Sequence, residues 1–429
     1  MRKFKILILL AASIAAILVV CLTVYLVFSS LANRRQLKAF NDTDLIPVRL
    51  EVPVASNAFW TLLKATNELY WPESFGRKLD DLSKDTNWDD SLAADVLKKN
   101  RRCLDLFNEA MRQPFLVVPE PKTFAEDYSY LADWRTIVRV ESIRTFALFR
   151  EKDEPEAFDS AFEIIQFGQR AENSGGTMIH YLVGSAIKAT GLRCIRQMIP
   201  ETTLPETNLL WSLRELNRFK ANQEGLTNTF KVEYQTASRF LDNLASGKNP
   251  VTGSESNPMP VAFSVKLFFS PTKTKMKFAR ADRVLCDNLS RPFSEIPWSE
   301  LPVVETNVPV WKRIIKGNAV GDILFELMEP SLKSFASRKS RENVEVTATQ
   351  LLLALKIYKM RHDQLPESLS DLAPEFFPTV PIDDFDGKPF RYLPDKKLIY
   401  SVGPDLKDSG GKAFQKNSEG YDLSFKIEF

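Results

Sequence analysis

Three aspartates near the C-terminus are the residues whose type and spacing best suit the binding of a metal ion. Asp405 and Asp408 lie in a loop rich in glycine and proline that follows a strand-like run at residues 398–402, and Asp422 comes soon after the loop. With Glu419 they offer four carboxylates, the ligands that calcium prefers, although calcium needs about six to eight oxygens. The loop therefore predicts a weak calcium site at Asp405, Asp408 and Asp422. A structural turn, in which these carboxylates accept backbone N–H groups, is the alternative that this ligand count leaves open.

Glu233 is a second residue that could do chemistry, because it falls on the apolar stripe of a predicted helix. Its stripe neighbours are Leu226, Phe230, Ala237 and Phe240. A carboxylate there is desolvated and its pKa is raised, as a general acid requires. The alternative is a structural ion pair with an arginine of a neighbouring helix, Arg144 or Arg239. No nucleophile elbow, phosphate loop or metal pair accompanies Glu233 in the sequence, so no catalytic residue is assigned.

Composition excludes several classes of function. Hydrophobic residues make up 44% of the chain, charged residues 26%, and the net charge is +2, which is typical of a globular protein and gives no electrostatic footprint for nucleic acid. Two histidines, His180 and His362, are too few for a zinc site with several histidine ligands. Beyond Cys21 lie Cys103, Cys194 and Cys286, at spacings that indicate neither a disulfide framework nor a thiolate metal site.

The N-terminus predicts a membrane anchor. Residues 6–28 carry no charge and as a helix would extend about 35 Å, more than a hydrocarbon core of about 30 Å. A cleaved signal peptide is the alternative, but its apolar region is usually only about 7 to 15 residues long. The sequence therefore predicts cytoplasmic residues 1–5, a transmembrane signal anchor over 6–28, and a single-pass protein of the bacterial inner membrane. The bulk of the chain would then be periplasmic.

The elements that must position these carboxylates are mainly helices. Apolar residues recur at helical spacing in segments beginning after Asn57, near Ala93, near Leu131, after Pro155 and at Thr177. A further segment opens near Pro205 and continues, with a kink, through Leu244. The pattern predicts a helical bundle or an irregular solenoid-like domain over residues 40–335.

A different pattern begins near Arg341. A long apolar helical stripe is followed by alternating apolar residues on either side of a Pro394–Asp395 turn, and by a last alternating run at residues 421–429. Pro330 is expected to close the helix that precedes this unit. We expect residues 341–429 to be a small α+β domain, a long helix packed on a small antiparallel sheet.

Four blocks within this C-terminal unit match the motif pattern of one known family. They are a helix end, a proline–leucine segment, an aspartate–glycine turn and the glycine-rich loop that follows residues 398–402. The matching residues are, in that order, Ala354, Leu355 and Tyr358; Leu365, Pro366, Leu369, Leu372 and Pro374; Pro381, Asp383, Phe385, Gly387, Pro389, Phe390 and Tyr392; and Tyr400, Ser401, Gly403, Asp405, Gly410 and Gly411. In order and spacing these residues resemble the globular domain of the major pseudopilin of type II secretion. The resemblance covers about the last fifth of the chain and implies a helix with a small sheet, a calcium-binding loop and a part in a secretion or pilus-like assembly.

The rest of the chain departs from that family. Pseudopilins begin with a processing site joined directly to the long helix, whereas here no such motif is present and hundreds of residues precede the matching helix. The sequence therefore predicts a non-enzymatic, membrane-anchored scaffold that binds protein partners in the cell envelope, among them secretion or pilus-type components. An envelope hydrolase with its chemistry around Glu233 is the alternative. No cofactor other than calcium is expected.

Overall fold

The computed structural model describes residues 40–255, 268–302, 318–413 and 422–429, together with Val20, Cys21 and Val24. The described α-helices are α1 (Ala58–Asn67), α2 (Gly76–Ser83), α3 (Asp90–Lys99), α4 (Arg101–Arg112), α5 (Tyr130–Arg150), α6 (Glu154–Glu172), α7 (Met178–Met198), α8 (Glu206–Leu216), α9 (Gln223–Ser246), α10 (Pro271–Asn288) and α11 (Ala319–His362). The described strands are β1 (Arg391–Leu393), β2 (Leu398–Ser401) and β3 (Leu423–Lys426). The architecture is mostly helical, with one small antiparallel sheet.

The predicted fold class needs correction at the membrane anchor. No helix in the described part of the chain is both long enough and apolar enough to cross a bilayer. Helices of sufficient length such as α5 carry several charged residues, whereas a span needs about 20 mostly apolar ones. The predicted anchor at residues 6–28 lies outside the described residues except for Val20, Cys21 and Val24. The transmembrane helix, the signal anchor and the single-pass inner-membrane and periplasmic placement are therefore not supported.

Local signals in the sequence account for several helix boundaries. Asn57 caps α1 as predicted, since its side chain accepts a hydrogen bond from Phe59 N at 3.2 Å. The segment predicted from Ala93 onward divides into α3 and α4 at Asn100, which is fully buried and whose amide donates to Tyr70 O at 2.9 Å. The segment predicted from Pro205 to Leu244 likewise divides into α8 and α9 rather than bending as one helix.

Helices α6 and α7 cross with their backbones in close contact. A Cβ atom at Gly184 would lie 2.7 Å from both Glu172 N and Gly168 O, closer than real Cβ contacts. Gly168 meets the backbone of Lys188 just as closely, and Gly191 meets Ala161 O. Glycine on this face of α7 is therefore required for the crossing, which brings Glu172 and Lys188 together in the interior.

Helix α11 is continuous over 44 residues, about 66 Å. The prediction that Pro330 ends a helix is wrong, because α11 runs from Ala319 through to His362. The predicted domain boundary between residues 335 and 341 therefore lies inside one helix. Core residues on either side of it, Phe335 and Val344, belong to the same buried cluster.

The C-terminal sheet has the strand order β1-β2-β3, and both pairings are antiparallel. The alternating residues predicted around Pro394–Asp395 form β1 and β2, in register at Tyr392 and Ile399, and Phe425 of β3 lies opposite Ile399. Ile399 is fully buried and belongs to the same apolar cluster as Leu351 and Leu355 of α11. The sheet is thus held by its apolar face against the helical part of the chain.

Candidate functional site

Asp383 is the central acceptor of the C-terminal unit. Its side chain is fully buried, and Oδ1 accepts hydrogen bonds from Phe385 N at 3.0 Å and Ser401 Oγ at 2.8 Å. Oδ2 accepts from Val402 N at 3.0 Å and from Arg391 Nη1 at 2.9 Å. Burial raises the pKa of Asp383, while the bonds from the two backbone N–H groups act to lower it. This one carboxylate joins the aspartate–glycine turn, β1 and the end of β2.

The aspartate–glycine turn also contacts the helical part of the chain. Asp384 Oδ2 accepts a hydrogen bond from Lys339 Nζ of α11 at 2.8 Å, and Asp384 O accepts one from Phe293 N at 2.8 Å. Gly387, with φ of 73°, lies so close to Pro292 and Glu295 that an added Cβ would be 3.0 Å from Glu295 Oε1. The turn is therefore fixed from two sides.

The three predicted calcium ligands surround one loop, where each already accepts hydrogen bonds. Asp422 accepts from Ser409 N at 3.1 Å and Gly411 N at 2.8 Å. Asp408 accepts from Gly410 N at 2.9 Å and Tyr400 Oη at 3.0 Å, and Asp405 accepts from Lys407 N at 3.2 Å. Burial raises the pKa of Asp422; its two backbone N–H bonds oppose this rise, and the negative charges of Asp408 and Asp405 add to it. The three carboxylates therefore each accept at least one backbone N–H group of the loop.

The donor set of this loop fits a hydrogen-bonded turn better than a calcium site. Among the residues that the structure describes, no group of three or more acidic, histidine or cysteine side chains is arranged to hold a metal ion. The fourth predicted donor, Glu419, lies outside the described residues. Calcium binding at Asp405, Asp408 and Asp422 stays a prediction, and the hydrogen bonds given above are those that calcium would have to replace.

Replacing Asp405 by alanine should lower the free energy of unfolding by about 1 kcal/mol, because one hydrogen bond to Lys407 N is lost. We expect the melting temperature of the full chain to be the same in millimolar calcium and in excess chelator. The measurement is thermal unfolding followed by circular dichroism, with Asp395→Ala in an exposed turn as the matched control. A calcium-dependent stabilisation that disappears in Asp405→Ala would show instead that the loop binds the ion.

Glu233 is partly buried on α9 and makes neither of the ion pairs expected from the sequence. Arg144 pairs with Glu141 and Glu156, and Arg239 pairs with Glu120. Glu233 Oε2 instead accepts a hydrogen bond from Met178 N, the first residue of α7, at 3.2 Å, where the helix dipole favours a negative charge. Burial raises the pKa of Glu233, and the bond from Met178 N opposes that rise. The hydrolase hypothesis stays a prediction, and Glu233 is the single residue that supports it.

A buried charge cluster that the sequence did not reveal lies between α6, α7 and α11. Lys188 Nζ donates to Glu172 Oε2 at 2.6 Å and to Glu342 Oε1 at 2.5 Å, and Tyr181 Oη donates to Glu342 Oε2 at 2.7 Å. The side chains of Lys188, Glu172 and Glu342 are at most 2% exposed. Burial, followed by the charge of Glu342, raises the pKa of Glu172 well above its usual range. Burial acts to lower the pKa of Lys188, but the two carboxylates raise it by more.

An open groove of about 790 Å³ adjoins the free edge of β3. Its walls come from α7, α11, β3 and the C-terminal residues, and Arg196 of α7 lies over the ring of Phe425 at 5.4 Å. Arg196 Nη1 also donates to Thr349 Oγ1 at 2.9 Å. The groove places the sheet edge and basic side chains of the helical part on one surface.

Comparison with known proteins leaves the chain unassigned. No family model, no curated protein and no solved structure matches it. The resemblance to pseudopilins stays a prediction that rests on the residues of the four C-terminal blocks.

Proposed function

We propose that this protein is a structural interaction protein whose C-terminal unit serves as a pseudopilin-like module that engages components of a secretion or pilus-like assembly. The observation that carries the proposal is that residues of three of the four matched blocks hydrogen-bond to one another. Tyr392 Oη of the third block donates to Pro366 O of the second at 3.0 Å. Ser401 Oγ of the fourth donates to Asp383 of the third at 2.8 Å. The second, third and fourth blocks are therefore joined to one another by hydrogen bonds.

Two exposed apolar side chains of this module are candidate contacts for a protein partner. Ile382, beside the aspartate–glycine turn, is 53% exposed, and Leu406, in the loop after β2, is 41% exposed. Leu406 has a φ of 59°, which is a rare backbone conformation for a bulky residue. Because strained conformations concentrate at functional positions, an exposed leucine held in this way supports a role in binding.

The test is photo-crosslinking in the native cell from single positions of the full chain. A photoreactive amino acid at Ile382 or at Leu406 should crosslink to a secretion or pilus-type subunit, identified by mass spectrometry. Val54, which is 66% exposed in the helical part of the chain, is the matched control position. We expect the adducts at Ile382 and Leu406 and not at Val54.

Deletion of residues 341–429 is not a suitable test, because it would remove Glu342 and leave Lys188 with a single carboxylate in the core. Single-position crosslinking avoids that problem. The proposal fails if neither module position yields a subunit of such an assembly, or if Val54 yields the same adducts with the same efficiency.

A further inference from the structure

A second cavity, which shares Arg193 with the groove beside β3, has a strongly basic lining. It measures about 290 Å³ and lies where the end of α2 meets α5 and α7. Four of its lining residues are Lys84, Arg135, Arg139 and Arg193, and the other lining residues are uncharged. No carboxylate contributes to the lining, although the whole chain is almost neutral. The cavity is therefore a local concentration of positive charge.

Helix geometry places these cations together. Arg135 and Arg139 are four residues apart on α5, and residues with this spacing are neighbours on a helix surface, where like charges repel. Arg139 has a long ion pair with Asp80 at 3.5 Å and lies near the ring of Trp71. The side chain of Arg135 is exposed and makes no ion pair or hydrogen bond with any residue that the structure describes. Within the fold, Arg135 therefore adds a repulsive charge without a compensating contact.

Arg193 supplies an independent observation on the opposite wall. Its Nη2 donates to Ser83 O at 3.3 Å, which fixes the guanidinium against the end of α2. Its Nε is buried and has no hydrogen-bond partner in the described part of the chain. Buried N–H groups without a partner are rare in folded proteins, and a guanidinium N–H is a strong donor. Because Arg193 also lines the cavity, its guanidinium has donors available to an anion bound there.

We propose that this cavity binds a small oxyanion of the phosphate class, either free phosphate or the phosphate of a soluble monoester. Guanidinium groups bind phosphate oxygens through paired N–H donors, and a cleft lined by one sign of charge concentrates the opposite ion. The guanidinium of Arg193 would donate to the anion, while Arg135, Arg139 and Lys84 would balance the charge of a dianion. This inference is independent of the proposed part in a secretion or pilus-like assembly.

The test is isothermal titration calorimetry of the full chain with inorganic phosphate and, separately, with glycerol phosphate. Sodium chloride at matched ionic strength serves as the reference. We expect saturable binding of phosphate that Arg135→Gln weakens about tenfold, the scale of one lost hydrogen bond to a charged group. Arg102→Gln removes the same charge from an exposed position on α4 outside the cavity, and it should bind phosphate like the unaltered protein.

Arg193→Gln is the second variant, and it should weaken binding at least as much while its circular dichroism spectrum stays unchanged. Binding of phosphate alone would identify a free-phosphate site, and binding of both anions would identify a monoester site. The proposal is overturned if neither anion binds above the chloride reference. It is also overturned if Arg102→Gln weakens binding as much as Arg135→Gln.

Discussion

Replacing Lys188 by methionine should lower the free energy of unfolding by about 3–5 kcal/mol, the cost of removing one partner from a buried ion pair. The substitution leaves Glu172 and Glu342 in the interior without the ammonium group that contacts both at 2.5–2.6 Å. Methionine nearly preserves the volume of the lysine stem, so the loss reports the charge and hydrogen bonds of the ammonium group, which also donates to Gln169 Oε1 and Phe219 O, rather than a cavity. Urea denaturation followed by circular dichroism measures the effect.

Lys98→Met on α3 is the matched control, because Lys98 is exposed, and it should change stability by less than about 0.5 kcal/mol. Adding Glu172→Gln and Glu342→Gln to Lys188→Met should recover part of the loss, since no buried charge then lacks a partner. A triple variant as unstable as the sum of the three single variants would contradict this account of the cluster.

Replacing Asp383 by alanine should also cost about 3–5 kcal/mol, because one buried carboxylate accepts from two backbone N–H groups, a hydroxyl and Arg391. The loss leaves the two N–H groups and the hydroxyl without their acceptor in a buried region, whereas Arg391 keeps its bond to Asp386. Thermal unfolding of the full chain measures it, together with hydrogen exchange of the Phe385 and Val402 amides, which should lose protection.

Asp395→Ala, in the exposed turn between β1 and β2, is the control for Asp383→Ala and should leave the protection of both amides unchanged. Asp383→Asn separates charge from shape, because asparagine keeps one acceptor oxygen but replaces the other by a donor. The free energy of unfolding of Asp383→Asn should lie between those of Asp383→Ala and Asp395→Ala. An Asp383→Ala protein with the stability of Asp395→Ala would mean that the third and fourth blocks are not held together through this residue.

The sequence predicts well where local signals decide the structure. The cap at Asn57, the helix over Tyr130–Arg150 and the strands on either side of Pro394–Asp395 follow from capping, periodicity and turn residues that lie close together in the chain. The sequence did not predict the break in the segment from Ala93, and it predicted the break in the segment from Pro205 as a kink. In both segments the apolar stripe continues with the same helical spacing across the break. The helix through Pro330 was missed because proline usually ends a helix.

The buried cluster was missed for a different reason. Lys188 and Glu342 are 154 positions apart, and no periodic pattern connects residues at that distance. One usable signal was present: Lys188 lies on the same stretch of α7 as Gly184 and Gly191, the face that approaches another backbone most closely. A lysine on such a face must be buried and therefore needs a carboxylate. The same reasoning could not have found Arg193, whose buried Nε depends on where α2 packs.

The continuity of α11 has a mechanical consequence. The single helix α11 contributes Glu342 to the helical core and packs Leu351 and Leu355 with the sheet. The helical part and the sheet are therefore connected by a continuous helix and not by a flexible hinge. A force applied to the sheet by a bound partner would be transmitted along this helix to the Lys188 ion pair. The helical part would then act as the fixed mount of the C-terminal unit, and load on that unit would be borne by an ion pair between side chains that are at most 2% exposed.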